Sequence, residues 1–197
     1  MPCNAKPRRK SIRLAEYDYS QEGAYFVTIC THGRKCLFGK IADGCMELTE
    51  PGRIVTEEIE KTEALRPGVV IDTYVVMPNH VHLIVVLCGD ETRFGDTSRR
   101  VPTGGRAFGK PQAGSLPAVI AAIKSAATRR INLSPGYDGG PVWQGRYYEH
   151  IIRNGASYGE IRRYIMENPE NWSRDENNPD NMKTVDTRSL TTPPHVA

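Results

Sequence analysis

The spacing of apolar residues changes several times along the chain, and each change marks an element. Residues 25–31 (YFVTICT) are dense in β-branched and aromatic side chains and predict a strand. A short strand or hairpin arm is expected within residues 36–48. Thr49 then offers a helix cap and Pro51 suits a first turn, with Val55, Ile59 and Leu65 expected to point inward. Glu57, Glu58, Glu60 and Glu63 are expected on the solvated side of that helix. Residues 69–77 and 80–87 are two apolar runs joined by Pro78-Asn79, the pattern of a hairpin. Ser115 precedes Leu116, Val119, Ile120, Ile123, Ala127 and Ile131 at helical spacing. Residues 142–152 predict a further strand, and Ser157-x-x-Glu160 a capping box that opens a last helix, stopped by Pro169.

The order is therefore β, α, β, β, α, β, α. A split βαββαβ unit predicts a ferredoxin-like α+β fold: an antiparallel sheet with helices on one face, plus an added C-terminal helix carrying Tyr164. The domain is expected over residues 15–173. Residues 1–14 hold Lys6, Arg8, Arg9, Lys10 and Arg13 and no acid, a basic N-terminal arm. Residues 89–114 are rich in Gly, Pro, Ser and Thr and carry Arg93, Arg99, Arg100, Arg106 and Lys110, so a mobile insertion loop is expected. Residues 174–197 are polar and aperiodic and are expected to form a disordered tail.

Composition narrows the function classes. With 39% hydrophobic residues in 197, the chain can build a real core. No apolar run approaches the roughly 20 residues of a membrane helix, so no membrane partner is expected. The N-terminus lacks the apolar stretch of a secretory signal. Five cysteines with no CxxC pair argue against a disulfide framework and a structural zinc site, and a cytoplasmic location is expected. A net charge of +3 is too mild to identify a nucleic-acid binder by itself.

Local chemistry says more. His80 and His82 are two apart on an expected strand, so both imidazoles face one side, at a spacing suited to a shared divalent metal. A hydrogen-bonded core pair is the alternative. Tyr164 and Asn168 lie one helical turn apart and can address one point; alternatively Tyr164 packs on the sheet and Asn168 ends the helix. His150 could approach from the last strand or be an ordinary sheet residue. Lys124, Arg129 and Arg130 could meet phosphates or form a solvated helix face. Trp143, Tyr147 and Tyr148, interleaved with Arg146, could stack on bases or pack in the core.

The blocks VVMPNHVHLIVV, KSAATRRIN, PVWQGRYYEHIIRN and IRRYIMENPENW, in that order, resemble the REP-associated tyrosine transposases. These belong to the single-tyrosine HUH transposases of bacterial insertion sequences, where HUH is a histidine, a bulky hydrophobic residue and a histidine. The resemblance spans roughly residues 10–173. It implies that His80, His82 and Asn168 hold Mg²⁺ or Mn²⁺ and that Tyr164 is the nucleophile. It also implies a partner, single-stranded DNA with hairpins or repetitive palindromic elements; Lys124, Arg129, Arg130, Arg146 and His150 are the residues expected to meet it. The implied reaction cuts and rejoins DNA through a 5′-phosphotyrosine, by a monomer or a homodimer. Two other readings stay open: a hairpin-binding regulator that does not cleave, and a hydrolase in which water attacks and Tyr164 is structural.

Overall fold

The structure, a computed structural model, describes residues 21–88 and 114–182. The basic arm, residues 89–113 of the insertion loop and residues 183–197 of the tail lie outside the described residues.

The main sheet contains β1 (Gly23–Cys30), β4 (Val69–Val76), β5 (His80–Leu87) and β6 (Tyr148–Ile152). Its strand order is β4-β5-β1-β6, and every neighbouring pair is antiparallel. With α1 (Glu50–Leu65) and α2 (Leu116–Asn132) as the connections, this is the ferredoxin-like order. A separate hairpin, β2 (Gly39–Ala42) and β3 (Cys45–Leu48), precedes α1. The helix α3 (Gly155–Glu167) follows β6, and a short α4 (Pro179–Met182) ends the described chain.

Alternation along the strands divides the residues between two faces. Tyr25, Val27 and Ile29 of β1 and Val81, Leu83 and Val85 of β5 share one core with Ile54, Val55 and Ile59 of α1 and the apolar stripe of α2. The other face carries Ile84 and Ile152, packed with Ile161 and Ile165 of α3 and with Phe26 and Val86. Two helices thus cover one face, and the added helix covers the other. No described helix is long and apolar enough to cross a membrane.

Several local expectations are refined. Thr49 caps α1, accepting from the Gly52 N–H. Leu65 does not point inward: it is the last helical residue, beyond Thr62, and is 73% exposed. The acids of α1 are tied to neighbours: Arg130 bonds Glu57 and Glu58 at 2.7 Å each, Tyr74 donates to Glu60, and the Ile71 N–H donates to Glu63. The last strand begins at Tyr148 rather than at residue 142. Trp143 leaves the sheet after one bridge to Thr31 because its ring packs on Phe38 and its indole N–H donates to the Lys124 carbonyl. Helix α3 starts before the expected capping box, because Asn154 supplies the cap oxygen to the Ser157 N–H at 2.8 Å. The expectation of a disordered tail differs from the structure over residues 174–182, where Asp175, Asn177 and Asn178 are buried.

Candidate active site

The site lies on the α3 side of the sheet, where β5 and β1 run side by side in the middle. His80 and His82 point to that side, and both are buried in an otherwise apolar strand. Register sets their neighbours: Cys30 lies opposite His80 and Thr28 opposite His82. The two Nε2 atoms face each other at 3.0 Å.

Each ring is oriented through its other nitrogen. His82 Nδ1 is 2.9 Å from Thr28 Oγ1. The hydroxyl donates or accepts, so it serves either tautomer of His82. His80 Nδ1 is 2.9 Å from Asn79 Oδ1. The Asn79 amide is not free to turn, because its Nδ2 donates to the carbonyls of Arg34 and Asn177, at 3.1 and 2.7 Å. Its oxygen therefore faces His80, and an amide oxygen only accepts. The proton of neutral His80 must sit on Nδ1, leaving a lone pair on Nε2. Burial, with the nearby Arg34 charge adding, pushes the His80 pKa down to about 3. Burial and the proximity of His80 push His82 well below its ordinary value, with Asp175 pulling the other way. Both rings are neutral at pH 7, the form that binds metals.

Tyr164 comes from the middle of α3. Ile161 and Ile165 seat that helix on the sheet, which directs the neighbouring Tyr164 ring over His82, with centroids 5.2 Å apart. Phe26 stacks on His82 and meets the tyrosine edge-on, at 5.3 and 6.1 Å. The phenolic oxygen is 3.3 Å from His82 Nε2 and the residue is 42% exposed, so one side is packed and the other open. Burial raises its pKa to about 12, Asp175 and Glu176 add to that, and a hydrogen bond from Asn168 opposes it. Asn168, one turn on, is buried, and its Oδ1 has no hydrogen-bond donor among the described residues.

Beyond α3 the chain turns back over the site. The Trp172 ring lies 6.0 Å from that of His80. Asp175 is buried, with Oδ2 3.8 Å from His80 Nε2. His80, His82 and Asp175 each offer one ligand atom, all within 4.8 Å of one another. Two neutral imidazoles, a buried carboxylate and an unpaired amide oxygen are a donor set that fits a divalent cation. Asp175, Asn79, Thr28 and Arg34 were not among the site residues expected from the sequence. Asp175 had no signal beyond being an acid soon after the Asn168-Pro169 stop.

The structure thus brings together His80, His82, Tyr164 and Asn168. It does not bring Arg130 to them: that residue bridges to α1 on the opposite face. Arg129, exposed, shares the last turn of α2 with it. Lys124 is half-buried and donates to the Gln144 carbonyl, which lies beside the end of β1. Arg146 is exposed just before β6. His150, opposite Phe26 in the register, is exposed on the site face. Of the other tyrosines, Tyr147 packs with the α1–α2 core, Tyr148 lies near Phe26, and Tyr158 sits beside Asp72.

No family model matches the chain. An uncharacterised protein of Haemophilus influenzae is 39% identical over 173 residues, covering 85% of this chain and 92% of that one. A solved REP-associated tyrosine transposase bound to a REP hairpin is 25% identical with a TM-score of 0.51, covering 79% of this chain and 73% of that chain. A transposase candidate from Deinococcus radiodurans is more distant, 17% identical over 78% of this chain and 95% of that one; at a TM-score of 0.41 it carries no weight. The ferredoxin-like order agrees with the second of these relationships. In fold, the chain is similar to a REP-associated tyrosine transposase.

Proposed function

We propose that the protein cuts and rejoins single-stranded DNA, with the Tyr164 phenol as nucleophile and a divalent cation held by His80, His82 and Asn168. The observation that carries this reading is the placement of the Tyr164 oxygen 3.3 Å from His82 Nε2, above the facing pair of imidazole nitrogens. When bound, Mg²⁺ or Mn²⁺ supplies Lewis-acid polarisation of a non-bridging phosphate oxygen and favours the phenolate. A phenol held near pKa 12 is protonated at pH 7, so attack depends on that help.

The chain's own residues do the rest. Asn79 and Thr28 aim the imidazoles, and Phe26 fixes the planes of His82 and Tyr164. Helix α3 carries Tyr164 and Asn168 as one rigid body, which removes much of the orientational cost of attack. The phenolic oxygen forms a bond to phosphorus and loses its proton, while the bond to the 3′-oxygen breaks and that oxygen gains a proton. A 5′-phosphotyrosine and a 3′-OH result. The link keeps the energy of the broken diester, so a 3′-OH can reverse the step and join strands.

The DNA partner is proposed to be a hairpin or palindromic repeat, by analogy with the hairpin-bound relative. Lys124, Arg146 and His150 are the contacts best placed for its phosphates and bases. Arg130, committed to Glu57 and Glu58, is poorly placed for that role, and Arg129 lies beside it. The test is a labelled single-stranded hairpin incubated with Mn²⁺ and run on a denaturing gel. A covalent adduct with the parent protein and none with Tyr164→Phe is expected. Released product without adduct in the parent would point instead to attack by water.

A further inference from the structure

Asp175 lies outside the blocks that carry the family resemblance and outside the roles proposed above. It follows α3 through Asn168-Pro169 and a 3-10 turn at Trp172–Arg174. Oδ1 accepts from the Asn177 N–H at 2.6 Å. Oδ2 is buried and has no hydrogen-bond donor among the described residues. It points at His80 Nε2 from 3.8 Å.

An ion pair with protonated His80 would be the ordinary account of that approach. The hydrogen bonds argue against it. Asn79, pinned by two carbonyls, places the single proton of neutral His80 on Nδ1. A second proton would create a fully buried cation beside His82 and near Arg34. Without it, Asp175 Oδ2 and His80 Nε2 present lone pairs to each other with no proton between them. His82 Nε2 converges on the same point, and in the tautomer whose Nδ1–H donates to Thr28 Oγ1 it too offers a lone pair there. Buried acceptors facing one another in this way call for a cation.

We propose that Asp175 is an anionic ligand of the divalent ion, completing a two-histidine, one-carboxylate set. Bound there, the ion fastens the segment of residues 172–182 onto the sheet. Asn177 extends the same attachment: its carbonyl accepts from Asn79, and its side-chain oxygen accepts from Arg34. Closing the site and loading the ion are then one event, and a single carboxylate leaves an Mn²⁺ centre with net positive charge for a phosphate oxygen. This rests on the metal reading proposed above.

The test uses the full chain stripped of metal, titrated with Mn²⁺ alone and followed by electron paramagnetic resonance of the free ion. Asp175→Asn keeps the side-chain shape and removes the charge, and is expected to weaken Mn²⁺ binding tenfold or more. His80→Ala is expected to abolish it. Hydrogen exchange of the parent protein supplies a readout that needs no variant: adding Mn²⁺ is expected to slow exchange in peptides spanning residues 172–182 as well as in β5. Unchanged Mn²⁺ affinity in Asp175→Asn, with binding lost in His80→Ala, would overturn the role of Asp175 and leave the metal site standing. Protection of β5 without protection of residues 172–182 would overturn the fastening. No Mn²⁺ binding by the parent would overturn both proposals together.

Discussion

The two faces of one sheet are built from alternate residues of the same strands, yet they solve opposite problems. Under α1 and α2, Val81, Leu83 and Val85 meet Ile59, Val119 and Ile120 in an apolar core. Under α3, one residue over in each strand, His80, His82 and Thr28 are equally buried, and Asn168 and Asp175 close over them with acceptors left unpaired. The first face has what a core needs for stability. The second keeps buried polar groups whose full set of partners is not found among the described residues, a cost that an apolar face does not carry. A strand that is apolar on both sides would have been simpler to stabilise. The difference sets the proposed chemistry on one face and the apolar core on the other.

The largest expected break in that comparison is a pair of substitutions one residue apart in position and opposite in kind. His82→Ala should remove metal-dependent DNA cleavage, a loss of about 10³-fold or more, while lowering stability little or raising it in the metal-free chain. Leu83→Ala should cost about 2–5 kcal/mol of stability and leave the specific activity of the folded fraction close to the parent's. Urea unfolding and single-turnover cleavage, measured on both variants, separate the two faces. Equal loss of stability and activity in both would dissolve the distinction.

Next in size is Asn79→Ala. It removes the group that sets the His80 tautomer, and Mn²⁺ affinity should fall by about 10- to 100-fold. Nitrogen chemical shifts of the imidazoles sharpen this: in the parent, His80 should carry its proton on Nδ1. A proton found on Nε2 in the metal-free chain would contradict the assignment.

A smaller effect follows from pH. His80 titrates near 3 in the folded chain and near about 6.5 unfolded, so the unfolded state binds its proton first as pH falls. Its contribution to stability is intact above about 6.5 and is lost progressively toward 3, at up to about 1.4 kcal/mol per pH unit. His82 moves in the same direction. Metal-free protein should therefore unfold more easily as pH drops from 7 to 5. Leu83→Ala should show the same slope from a lower start, and His80→Gln a shallower one. Denaturant midpoints across that range are the measurement. Smallest of all, Arg130→Ala should cost less than about 1 kcal/mol and leave cleavage unchanged, because its partners Glu57 and Glu58 are on the other face. A marked loss of DNA affinity would restore Arg130 to the nucleic-acid surface.

What the sequence made legible follows from the range of each signal. The pairing of His80 with His82 is a two-residue period, and that of Tyr164 with Asn168 is one helical turn; both are local and survive without knowledge of the fold. The stripe of α2 and the βαββαβ order are local patterns too. Thr28 and Phe26 became visible only with the register of β1 against β5, a long-range fact. Asn79 looked like a turn residue, which it also is: the Met77 N–H closes the hairpin on the His80 carbonyl. Asp175 lies in a polar stretch without periodicity, where nothing distinguishes a buried acid from a solvated one. Leu65 failed in the other direction, since periodicity extends to a helix end whether or not anything packs there.

The central claim is that α3 delivers the Tyr164 phenol to the phosphate beside His80 and His82. It is tested most directly by trapping the protein on a labelled single-stranded hairpin with Mn²⁺, digesting it, and locating the nucleotide by mass spectrometry. The account predicts the adduct on the peptide that contains Tyr164, and its absence when the ion is withheld. An adduct on a peptide carrying Tyr147, Tyr148 or Tyr158 instead would contradict it.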